Sequence, residues 1–295
     1  QMGNKNKYSI KGFTMISKQE IISVATATHL LPTTVEKDYV LGWVLYGISK
    51  HRGLSKWVFK GGTCLKKCYF ETYRFSEDLD FTVPKNTLYD KAQIQEALKE
   101  ITEIVYQDTG INLLSKEIEI KESINKRSYK TYVAKLTYLG PLGLASRSQQ
   151  RIKFDISNDE ILLDQPDLRE VFHSYSDAPS LPVKINCYSI NEILAEKSRA
   201  IYERQGRARD IYDIVHIGRD FKQLINIEKT QLILKEKFKF KQLPEPSANL
   251  IISQIDFSQL EKDWQHQLGH QITMLPPAKS FYDELHSALT IFTRD

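Results

Sequence analysis

Residues 57–83 read WVFKGGTCLKKCYFETYRFSEDLDFTV, and the fold turns on how this stretch is parsed. Trp57, Val58 and Phe59 form a short apolar run that breaks at Lys60-Gly61-Gly62-Thr63. A helical segment follows with Leu65, Cys68 and Tyr69 on one face, and Asp78-Leu79-Asp80-Phe81-Thr82-Val83 then alternates as a strand does. Residues i and i+2 of a strand share a side, so Asp78 and Asp80 face one way while Leu79, Phe81 and Val83 face the core. Two neighbouring carboxylates repel, and a divalent cation held by both offsets that repulsion; hard oxygen ligands suit Mg2+, as one or two ions. The Gly-Gly turn lets backbone approach a ligand closely, and the helix after it aims free N–H groups and a positive dipole end at an anion. A phosphate site beside a metal site is the layout of metal-assisted phosphoryl or nucleotidyl transfer. Each feature alone is ordinary, since Gly-Gly punctuates many loops and D-x-D occurs on exposed strands. Their order within one short unit carries the reading.

The chain of 295 residues is long enough to bury a full core and to hold two lobes. Its 41% hydrophobic and 26% charged residues are those of a soluble globular protein. A net charge of +4 permits a nucleic-acid partner without demanding one. No apolar run reaches the roughly 18 residues of a membrane span, and no signal-peptide pattern opens the chain. Cys64, Cys68 and Cys187 cannot all pair and lack the spacing of a zinc site; they read as packing residues of a reduced, cytoplasmic protein.

Residues 1–13 are polar and read as loose. Helical periodicity runs from Ser17 to Lys50 and breaks at Leu31-Pro32-Thr33-Thr34, where Thr34 suits a helix start; Glu36-Lys37-Asp38-Tyr39 reads as a solvated helix face. Tyr89–Gln107 is an amphipathic helix, and strands follow at Glu117–Glu122, Lys130–Tyr138 and Gln150–Ser157. Asp155 lies on the last of these, on the polar face opposite Phe154 and Ile156. The Pro- and Asp-rich stretch 158–185 reads as a connection ending in a short strand, Val183–Asn186. A helix capped by Ser189 or Asn191 runs to Arg204, Gln205-Gly206 breaks it, and another starts near Arg207. From Phe221 onward only helices and loops are expected. Lys235-Glu236-Lys237-Phe238-Lys239-Phe240-Lys241 is either a polyanion-binding surface of charge and stacking or an exposed helix end.

The run KGGTCLKK…YRFSEDLDF resembles the signature of the AbiEii/AbiGii toxin family of nucleotidyltransferases, in the polymerase-beta-like superfamily. The likeness covers roughly Thr34 to Arg219, with specific motifs at 60–83, 150–157, 196–200 and 207–214. It implies an α/β (α+β) nucleotidyltransferase fold, a mixed sheet flanked by helices: a core at 14–187 that includes the N-terminal helices, and a helical C-terminal lobe at 188–295. It implies Asp155 as a third metal carboxylate and base beside Asp78 and Asp80, Lys197 in E-K-x-x-A as a phosphate contact, and Asp210 in R-x-R-D-x-Y-D as an active-site acid. Arg209, with Arg207, then falls to phosphate or RNA contacts, and Asp213 to holding local structure or positioning Arg209. Gly61, Gly62, Thr63 and Ser76 complete the nucleotide site; Gly-Gly replaces the superfamily's Gly-Ser, leaving Thr63 as the hydroxyl near a phosphate. Phosphorylation of Ser76, two residues before Asp78, would set a dianion in the metal site and silence the enzyme. The resemblance further implies an NTP substrate, tRNA or another RNA as acceptor, and a cognate antitoxin. A small-molecule nucleotidyltransferase of drug-modifying type and an inactive binding protein of the same fold are the alternatives.

Overall fold

The computed structural model describes residues 15–85, 87, 89–125 and 127–293; the tail expected to be loose lies outside them. Two helices open the described chain. In α1 (Lys18–Thr28) the Ser17 hydroxyl accepts from the Glu20 N–H, and the helix ends at His29 in the left-handed region. Helix α2 (Pro32–Lys50) begins two residues before Thr34, because Pro32 takes the first helical position, where its missing N–H costs nothing.

The seven strands form one sheet in the order β3-β4-β5-β2-β1-β7-β6. They are β1 (Val58–Lys60), β2 (Asp78–Thr82), β3 (Glu119–Ile124), β4 (Lys130–Thr137), β5 (Arg151–Ser157), β6 (Asp167–Glu170) and β7 (Lys184–Cys187). Pairs β2–β5 and β1–β7 are parallel and the others antiparallel. Strand β6 falls inside the stretch read as a connection: its residues, DLRE, are short, charged and alternately exposed at the sheet edge, so no apolar run marks them. Leu79, Phe81, Phe154 and Ile156 are buried on the core face, with Phe59 and Phe81 ring to ring at 5.2 Å. Helix α4 (Lys91–Thr109) packs on α2, which lies against β7.

Every named element after Cys187 is helical: α5 (Ile190–Glu203), α6 (Ala208–Asp220), α7 (Ile227–Phe240), α8 (Ala248–Ile252), α9 (Phe257–Leu268) and α10 (Ala278–Thr290). Ser189 is the cap of α5, accepting from the Glu192 N–H. Helix α5 packs on α6, α7 and α8, and α6 on α9 and α10; one continuous apolar core joins these helices to the sheet.

Two surface expectations are overturned. Glu36 and Asp38 are buried: Glu36 accepts the Leu142 N–H at 2.6 Å, and Asp38 holds the buried Lys67 ammonium at 2.7 Å, tying α2 to the segment behind the Gly-Gly turn. The run Lys235–Lys241 is turned inward only in part: Lys235 and Lys239 are exposed, while Lys237 and Lys241 are engaged by other parts of the chain. Lys237 is fully buried, paired with Glu192 at 2.7 Å and donating to the Ile161 carbonyl at 2.8 Å, while Lys241 reaches Asp159 at 2.9 Å. Lys237 and Lys241 fasten α7 to the stretch 159–161.

Candidate active site

Strand β1 delivers the turn and β2 the acids. Gly61 opens the four-residue helix α3 (Gly61–Cys64) with φ +78°, a conformation that L side chains rarely adopt, and a Cβ there would collide with Oδ2 of Asp80. A Cβ on Gly62 would come within 2.6 Å of an Arg74 nitrogen and 3.0 Å of the Ser76 hydroxyl. The turn therefore lies flush against Asp80, Arg74 and Ser76, and only glycine permits that approach.

Register aligns the acids. In the parallel β2–β5 pair Asp80 stands opposite Asp155 and Asp78 opposite Lys153, while across the antiparallel pair Lys60 stands opposite Asp80. Burial and the nearby Asp155 push the Asp80 carboxyl up to about 6, with Asp78 and Glu196 adding to the effect and Lys60 opposing it. Lys153 holds Asp155 at 2.6 Å and Lys60 pairs with Glu196. Burial alone would raise Glu196, yet the charges of Lys60, Lys237 and Arg199 bring it down to about 2.

Helices α5 and α6 close the cleft. Lys197 and Asp210 line it together with Asp78, Asp80, Asp155, Gly61, Gly62, Ser76 and Arg209. Lys197 differs from the free phosphate-seeking cation expected: its ammonium bridges Asp210 at 2.9 Å and Asp213 at 2.7 Å. Asp213, fully buried, also accepts two hydrogen bonds from the Arg74 guanidinium at 2.7 Å and one from the Tyr73 hydroxyl at 2.8 Å; burial would raise its carboxyl, yet Arg74 and Lys197 hold it far below the usual range. It positions Arg74 and Lys197, not Arg209. The other oxygen of Asp210, Oδ2, is buried with no hydrogen-bond partner among the described residues. Thr63 does not face the cleft: it is buried, and its hydroxyl donates to the Asp78 carbonyl, fastening the turn to β2.

The family described as "Nucleotidyl transferase AbiEii toxin, Type IV TA system" matches residues 43–289. The chain belongs to the AbiEii nucleotidyltransferase toxin family. Its fold is similar to that of MenT4, a nucleotidyltransferase toxin of Mycobacterium tuberculosis, with a TM-score of 0.64 and 18% identity over 94% of this chain and 89% of that one. No curated protein sequence matches.

Several residues that line the cleft of this AbiEii-family chain carry no role in the sequence reading: Lys60, Arg74, Lys153, Glu196 and Arg204. Two of them had a signal. Lys153 lies two residues before Asp155 on the same strand face, and Lys60 immediately precedes the turn. The partners of Arg74 and Glu196 come from distant chain, and nothing local marks them. The side chains of Arg204, Arg207 and Arg209 make no hydrogen bond or ion pair among the described residues, so the α5–α6 junction brings three guanidinium groups to the cleft, with Arg209 half-buried and within the field of Asp78 and Asp210.

The donor set fits a hard divalent cation. Asp80 and Asp155 face each other in register, Asp78 lies on the same strand face, and all three line the cleft, although the three carboxylates do not bring one oxygen each within 4.8 Å of one another as the cysteine sulfurs do.

Proposed function

We propose that this chain transfers a nucleoside monophosphate from an NTP to the hydroxyl of an RNA acceptor such as tRNA, and that it does so in the cytoplasm as the toxin partnered by a cognate antitoxin. The observation that carries the reading is the in-register pairing of Asp80 with Asp155 beside the Gly61–Gly62 turn.

In this reading the backbone of Gly61 and Gly62 and the Ser76 hydroxyl receive the triphosphate, with Arg209 and Arg207 neutralising its outer charge. Asp78, Asp80 and Asp155 would hold Mg2+, which supplies charge neutralisation at the reacting phosphate when bound. Asp155 takes the proton of the acceptor hydroxyl as that oxygen attacks the α-phosphorus, and pyrophosphate leaves. Lys153, in contact with Asp155 at 2.6 Å, holds that carboxylate in place in the cleft. Lys197 keeps Asp210 and Asp213 together and so fixes the wall formed by α5 and α6. That wall belongs to the helical half of the chain, which we read as a lobe closing over the core.

The guanidinium groups of Arg204, Arg207 and Arg209 favour a polyanionic acceptor over a cationic small molecule. Three acids facing one cleft argue against a fold that kept only binding. No helix of the described residues is long and apolar enough to cross a membrane. Incubating the protein with each labelled NTP and total bacterial RNA tests the reading: label in RNA of tRNA size, lost in Asp78→Ala/Asp80→Ala, is expected. Label only on small molecules, or none with any NTP, overturns it.

A further inference from the structure

The three cysteines, of which Cys64 and Cys187 lie 123 residues apart in the sequence, meet at one point. Cys64 ends α3, Cys68 lies one turn later, and Cys187 is the last residue of β7. Their sulfurs all lie within 4.8 Å of one another, and each residue is at most 1% exposed. The turn carrying Cys68 is a π-helical stretch, Leu65–Tyr69, closed by the Phe70 N–H on the Leu65 carbonyl at 2.8 Å. Such widened turns change the phase of the side chains after them and recur at functional sites. Here the widening brings Cys68 beside a thiol from another part of the chain.

We propose that Cys64, Cys68 and Cys187 form a buried structural site for a soft divalent cation, zinc, taken up as the chain folds.

Geometry supports it first. Zinc–sulfur bonds of about 2.3 Å set tetrahedral sulfurs roughly 3.8 Å apart, so the thiols need approach by no more than about 1 Å. Charge supports it next. Three thiolates around a divalent ion leave one negative charge, and Lys67 and Arg169 both act on Cys68. Arg169 donates to the Cys68 carbonyl at 3.2 Å, so a guanidinium already stands at this turn. The converging donors are the three sulfurs alone, and Asp167, opposite Cys187 in the β6–β7 ladder, is engaged by the Tyr69 hydroxyl at 3.0 Å, so a fourth position would fall to water. Full burial suits an ion enclosed during folding and argues against thiols serving as surface nucleophiles. Sequence spacing hid the site because two ligands come from one helical turn and the third from a strand in another part of the chain. An ion there would clamp the helix behind Gly61 and Gly62 to β7, so the phosphate-gripping turn would depend on a metal that does no chemistry itself.

The test uses the full chain, unfolded with chelator and reductant and refolded with Zn2+, with Co2+ or with neither, always in excess Mg2+ to fill the acidic cleft. Elemental analysis after gel filtration is expected to find about one zinc per chain, and at least about tenfold less in Cys187→Ser. The cobalt form is expected to show thiolate-to-metal charge transfer, and the zinc form to melt several degrees above the metal-free one. Zinc below about a tenth of an equivalent, cobalt bound without a thiolate band, or identical melting with and without zinc overturns the proposal. If Cys187→Ser does not fold, the cobalt spectrum of the unmodified chain decides the matter alone. None of these readouts involves nucleotide transfer, so they stand whatever the catalytic reaction is.

Discussion

Under the proposed reading, Asp80 is where function and stability conflict most directly. Its carboxyl moves from an ordinary 3.8 to about 6 in the fold, so ionising it there costs about 3 kcal/mol more than in the unfolded chain. Water in the cleft screens part of this, and about 1–3 kcal/mol is the expected share. Because the folded-state value lies above the unfolded one, the folded protein holds the proton more tightly. Stability is therefore fully present below the unfolded value and is lost as pH rises toward about 6. Asp80→Asn removes that loss. Urea denaturation of both proteins without divalent cations, from pH 4 to pH 8, should show the variant gaining on the wild type by about 1–3 kcal/mol across the window, then a plateau. Adding Mg2+ at the alkaline end should stabilise the wild type and leave the variant unmoved, while transfer is lost in the variant. A stability difference that stays flat or shrinks with rising pH would refute the reasoning, because the carboxylate cluster would then carry no excess repulsion.

Four further outcomes follow from particular contacts. Asp213→Asn leaves Arg74 and Lys197 buried without their shared counter-charge and should cost about 3–5 kcal/mol by urea denaturation. Gly61→Ala forces an unfavourable φ of about 1–2 kcal/mol and drives a methyl into Asp80; transfer should fall by roughly 100-fold, measured in single-turnover assays. Lys237→Met should destabilise by about 3–5 kcal/mol through the orphaned Glu192, and Lys237→Met/Glu192→Leu should recover most of it. Neither variant should weaken RNA binding in a filter assay, whereas Arg207→Ala should weaken it and reduce the salt slope by about 1. Ser76→Glu puts a charge beside Gly62 and the acids and should lower transfer at least about tenfold; wild-type rates in that variant would remove Ser76 as a control point.

What the sequence disclosed divides along a physical line. Alternation in DLDF and RIKFDIS was enough to orient Asp78, Asp80 and Asp155, because the pleat assigns faces within a single strand. That Asp80 meets Asp155 depends on which strands are neighbours, and the resemblance to a known family supplied that where periodicity cannot. The same pleat rule extends to Lys153, two residues from an acid already singled out. Helix-to-helix contacts were closed to local reading: Lys197 looks like any helix lysine until α6 brings Asp210 and Asp213 against it. Lys237 shows the reverse error, since a buried lysine and a solvated one have the same spelling. Strand β6 and the gathering of the three cysteines were hidden for related reasons, one lacking an apolar run and the other joining segments more than a hundred residues apart.

The guanidinium of Arg74 touches the Gln271 amide oxygen at 2.6 Å, and the next residue's N–H reaches the Gln271 carbonyl at 3.0 Å. A ribosome that has released the first two hundred residues has thus made every carboxylate of the β2–β5 pair, yet neither Asp213 nor the anchor behind Arg74. A prematurely ended translation product lacks the wall of its own cleft. This long-range stitch ties the segment just before the acidic strand to a residue nearly two hundred positions further along the chain.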